Sequence, residues 1–83
     1  MTVSVGNLEE RLLVTFKRVF RRQFAVERIR VDEVEEWDSL SHIKLVMELE
    51  TEFGIEIEPS SITKLYSNFD SIVSFLRELG VQE

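Results

Sequence analysis

Apolar residues recur at helical spacing in three segments of the 83-residue chain. In the first, Leu8, Leu12, Phe16, Val19 and Phe20 share a face, and Leu13 and Phe24 widen it. Asn7 followed by Glu10 is a capping-box variant that starts this helix near Leu8. Lys17, Arg18, Arg21 and Arg22 fall late in it, where cations suit the helix dipole. In the second segment, His42, Leu45, Val46, Leu49 and Phe53 occupy an arc of about 100°, wide enough to face a core. Ser41, Glu48 and Glu52 form a polar stripe beside them. Leu40, Ile43 and Met47 make a second apolar patch, edged by Lys44 and Thr51. One stripe suffices for a small bundle, so the second patch predicts a docking surface. The third segment begins near Asp70 as its cap and carries Ile72, Val73, Leu76 and Leu79 up to Gly80.

The connections differ in kind. Residues 25–38 are the longest irregular stretch, with Ile29, Val31 and Val34 placed to tuck beneath the bundle. Trp37 closes that stretch and is expected at the core edge. Gly54 ends the second helix. IEIEP reads as a short extended connector, and Ser60–Tyr66 as a short helix with Ile62 and Leu65 inward. The pattern predicts one all-α domain over residues 1–83: a small antiparallel bundle of three main helices plus one short helix. The termini, about residues 1–6 and 81–83, are expected to be loose.

Charge narrows the partners. The net charge of −6 disfavours nucleic acid. Residues 1–30 carry seven Lys/Arg against three Asp/Glu, whereas residues 31–83 carry three against thirteen. The acidic part surrounds Ser39 and is expected to draw basic docking surfaces. No basic region followed by an apolar stretch opens the chain, and no apolar run approaches the ~20 residues that span a bilayer. The expectation is a soluble, cytoplasmic monomer with no membrane insertion.

Candidate chemistry centres on Asp38 and Ser39. Both residue types are preferred at helix starts, where their side chains accept bonds from free backbone N–H groups. A hydroxyl at such a terminus also sits where backbone donors and the dipole favour an attached phosphate. Catalysis by Ser39 lacks support: His42 is the only histidine, and no oxyanion site or substrate pocket is legible. His42 is expected at the core rim, neutral. With one histidine and no cysteine, a metal shell is not expected. A calcium loop from Asp32 fails because Val34, Trp37 and Ile43 occupy required ligand or glycine positions.

DSL followed by LVMELETEFGIEI resembles the prosthetic-group site and second helix of acyl carrier proteins, and the likeness extends roughly from Leu8 to Leu79. The resemblance implies that Ser39 carries 4′-phosphopantetheine, attached from coenzyme A by a phosphopantetheinyl transferase, with Asp38 and Leu40 completing the motif. It implies a discrete, non-catalytic carrier holding an acyl intermediate as a thioester. Partners would be enzymes that load, modify and transfer the acyl group in fatty-acid, polyketide or specialised acyl biosynthesis. Leu40, Ile43, Lys44, Met47 and Glu48 are the expected docking residues. The common fatty-acid pattern has acids directly after DSL and three positions later; Ser41 and Lys44 stand there instead, which points to a specialised pathway. The competing class is a small acidic helical adaptor that binds proteins without a cofactor.

Overall fold

The computed structural model describes residues 7–81. Helix α1 (Leu8–Phe20) opens on Asn7, whose side chain accepts the Glu10 N–H at 2.8 Å. One free donor of the first turn is thereby satisfied. The helix stops four residues short of Phe24. Arg21 adopts the left-handed conformation (φ 60°), and its N–H returns to the Lys17 carbonyl. Only Lys17 and Arg18 therefore occupy the last turn, and Arg21 and Arg22 lie beyond it. Phe24 is also outside the helix, yet it packs edge-on against Phe16 and Phe20, with ring centroids 6.1 and 5.9 Å away. Its apolar signal is tertiary.

Helix α2 (Ser39–Phe53) begins directly after Asp38, its cap. It ends at Gly54, where φ is 63°, a conformation that glycine adopts without Cβ strain. The Ile57 N–H is then caught by the Glu50 carboxylate at 2.8 Å, which steers the connector inward and buries Ile57. A short helix α3 (Pro59–Ile62) runs into a 3-10 turn at Thr63–Leu65. Leu65 is buried and Ile62 half-buried, as their spacing predicts.

Helix α4 (Phe69–Glu78) starts before Asp70. Asn68 is the cap, accepting the Ser71 N–H at 2.8 Å, so Phe69 enters the helix and the core. Leu79, expected in the apolar stripe, is the exposed C-cap instead. Val81 packs on the core and its N–H bonds to the Leu76 carbonyl at 3.1 Å, so the chain is still tied down there. The other terminal residues expected to be loose lie outside the described residues.

The long connection holds one 3-10 turn, Val26–Arg28, and buries Ile29 and Val34, with Val31 half-buried. Its backbone is pinned to the start of α4 by Val31 N–H to Ser67 O (2.8 Å) and Phe69 N–H to Ile29 O (3.0 Å). These bonds flank an isolated antiparallel bridge between Arg30 and Asn68, and no strand occurs among the described residues. Helix α1 runs antiparallel to both α2 and α4. Arg11 near the start of α1 meets Glu52 near the end of α2 at 3.0 Å, and Arg77 late in α4 meets Glu9 at 3.3 Å.

Trp37 lies at the centre of the core, 1% exposed, not at its edge. It stands edge-on to Phe16 (5.3 Å) and Tyr66 (5.9 Å). Its indole N–H donates to His42 Nδ1 at 3.0 Å. An indole nitrogen can only donate, so Nδ1 accepts and the proton resides on Nε2, which donates to the Ile62 carbonyl at 2.7 Å. The Tyr66 hydroxyl donates to the Trp37 carbonyl at 2.8 Å. His42 is thus a core residue rather than a rim residue. Burial lowers its pKa from 6.5, partly offset by the Ile62 carbonyl.

Two stability predictions follow from this packing. Leu49 is fully buried on the core side of α2, so Leu49→Ala should cost roughly 2–5 kcal/mol in urea melts. For His42, both states are neutral well above 6.5, and its contribution is then fully present. Below 6.5 the unfolded chain takes up a proton that the folded ring resists, so stability falls until the lower folded pKa is reached. Melts across pH 7.5 to 5.5 should show a larger loss for wild type than for His42→Gln. Parallel losses would show that His42 is not held neutral.

Candidate functional site

Ser39 is the first residue of α2 and is exposed. The chain is brought there by Trp37, anchored in the core two residues earlier, and by His42, anchored one turn later. Asp38 has extended backbone, as a cap requires, and its carboxylate accepts the Ser41 N–H at 2.8 Å. The Ser41 N–H and hydroxyl hold the Asp38 carboxyl below the usual aspartate range, so it is anionic at neutral pH. A phosphate ester on Ser39 would sit at the positive end of α2, whose dipole offsets the added charge beside Asp38. The exposed position leaves the core undisturbed by such a group. A phosphodiester-linked arm therefore fits these residues.

His42 cannot act on Ser39 as a base, because both of its ring nitrogens are engaged inside the core. No group of metal-ligating side chains occurs among the described residues. Two surface grooves lie elsewhere. One is lined by Val26, Ile29, Asn68 and Phe69, the other by Phe53, Ile55, Leu79 and Val81.

Beside Ser39, α2 presents Leu40 (79% exposed), Ile43 (45%) and Met47 (61%) on one outward face. Lys44 shares that face, exposed and without an ion pair among the described residues. Glu48 stands at the margin and is drawn toward α1, 3.6 Å from Arg18, which also reaches Glu52 at 3.6 Å. The acidic loop is similarly occupied. Glu36 pairs with Arg22 at 2.6 Å, and that hydrogen bond lowers its pKa. Glu33 pairs with Arg28 and Asp32 with Arg30, at 2.9 and 3.3 Å. Three of the five acids in residues 32–38 are thus countered from within the chain, an arrangement that the charge count conceals. Arg18 and Arg22 are site neighbours that sequence reasoning assigned only to the dipole of α1.

Among the described residues no helix is long and apolar enough to cross a membrane. No curated protein and no solved structure matches the chain. A family model, described as the phosphopantetheine attachment site, matches residues 10–76, a span that includes Asp38, Ser39 and all of α2. Carrier domains of this family are not themselves catalytic. The chain belongs to the phosphopantetheine-attachment family, whose members are carriers bearing covalently attached 4′-phosphopantetheine.

Proposed function

We propose that Ser39 is the attachment residue, and that the protein presents an acyl group to successive enzymes of a lipid, polyketide or specialised acyl pathway. It would act as a cytoplasmic monomer. The observation that carries this reading is the exposed serine at the capped start of α2, inside the segment matched by the family. The family match favours it over a cofactor-free adaptor. The bound arm supplies a terminal thiol for thioester formation. The residues of this chain do the rest: Asp38 fixes the first turn, Trp37 and His42 hold that turn on the bundle, and Leu40, Ile43, Lys44 and Met47 meet the visiting enzyme. Glu48 contributes at the margin of that surface. A flexible arm lets one domain serve several active sites, while brief docking limits each visit.

Incubation with coenzyme A and a broad-specificity phosphopantetheinyl transferase should add one phosphopantetheine per chain by intact mass, and none to Ser39→Ala. An unmodified wild type, or a modified variant, would overturn the assignment.

The docking face has its own signature. Lys44→Glu should change stability by no more than about 0.5 kcal/mol, as surface changes do. It should also speed modification by enzymes whose docking surfaces are basic. Met47→Ala should alter stability by less than about 1 kcal/mol, yet slow Ser39 modification at subsaturating transferase through a lost apolar contact. Denaturant melts with modification rates give the comparison, and a Met47→Ala loss equal to that of Leu49→Ala would place Met47 in the core.

A further inference from the structure

Taking Ser39 as the attachment residue, we propose that the tethered group rides outside the bundle, and that the cargo is a short or polar acyl group rather than a long alkyl chain. The interior nearest Ser39 lies beneath the first turn of α2, toward α3, where His42 meets the Ile62 carbonyl. That space is filled and bonded shut. Trp37 is buried two residues before Ser39, and His42 is buried three residues after it. The two share a hydrogen bond at 3.0 Å, and His42 spans to the α3 carbonyl of Ile62 at 2.7 Å. Tyr66 closes the flank, its ring 5.0 Å from His42 and 5.9 Å from Trp37, with its hydroxyl on the Trp37 carbonyl. Behind Trp37 stand Phe16 and Phe20, at 5.3 and 6.3 Å.

Parting these groups for an alkyl chain would leave the indole N–H and an imidazole nitrogen buried without partners, which an apolar guest cannot satisfy. A long chain kept outside fares no better. The apolar surface nearest Ser39 on α2 is Leu40, Ile43 and Met47, so the chain would settle there and cover the proposed docking face. A short or polar group does neither.

Trp37 is the only tryptophan in the chain, so its fluorescence reports on this lock directly. Full-length protein is loaded at Ser39 with acetyl- or dodecanoyl-phosphopantetheine, using the matching acyl coenzyme A and a transferase. The two forms should share one Trp37 emission maximum, because the indole stays enclosed whether the attached group is acetyl or dodecanoyl. A dodecanoyl form with shifted Trp37 emission would show the chain bound within the fold and overturn this proposal alone. Failure of Ser39 to load at all would overturn the carrier reading as well.

Discussion

The start of α2 depends on a histidine that cannot take a proton without losing a bond. His42 accepts from Trp37 on one nitrogen and donates to α3 on the other. The pair thereby joins the end of the long acidic connection, the first turn of α2 and, twenty residues further on, α3. A protonated ring would direct a second N–H at the indole donor, so the neutral form is built into the packing. The buried polar groups gain definition from this arrangement. Trp37, His42 and Tyr66 each have a partner, and no buried side-chain nitrogen or oxygen among the described residues lacks one. A fully satisfied network fixes a unique packing, whereas a partly satisfied one would weaken the core.

Electrostatics in this protein is mostly internal. The basic residues of α1 lie along the seam with α2 and at its C-terminal exit, where Arg11, Arg18 and Arg22 meet Glu52, Glu48 and Glu36. Each exposed pair contributes little to stability by itself. Together they redistribute charge: among the described residues, the exposed face beside Ser39 is apolar with one unpaired cation, Lys44, although the chain carries net charge −6. Arg22 also lies over the Phe24 ring at 4.2 Å, a local contact just beyond the end of α1.

Much of this was legible in the sequence because it rests on local rules. Helical spacing located the core face of α2, and the same wheel separated Leu40, Ile43 and Met47 from it, as their exposure bears out. Caps at Asn7 and Asp38 follow from neighbouring residue types. What escaped was tertiary. Phe24 looked helical because an aromatic cluster draws it in from a loop. Asn68 outcompeted Asp70 as a cap because Ser67 and Phe69 are held by the backbone of the long connection. The partnership of Trp37 with His42 and Tyr66 spans up to 29 residues, and no spacing rule reaches that far.

Lys44 stands clear of every core contact, on a helix whose position is set from its opposite side. Lysine and glutamate codons differ by a single base. One nucleotide change can therefore reverse the sign of the charge beside Ser39 while the fold, the caps and the buried network stay as they are. On the proposed docking face, descent from a common ancestor and choice of enzyme partners become separable: a carrier gene duplicated into a new pathway could exchange its clientele in one mutational step, with no intermediate that folds poorly.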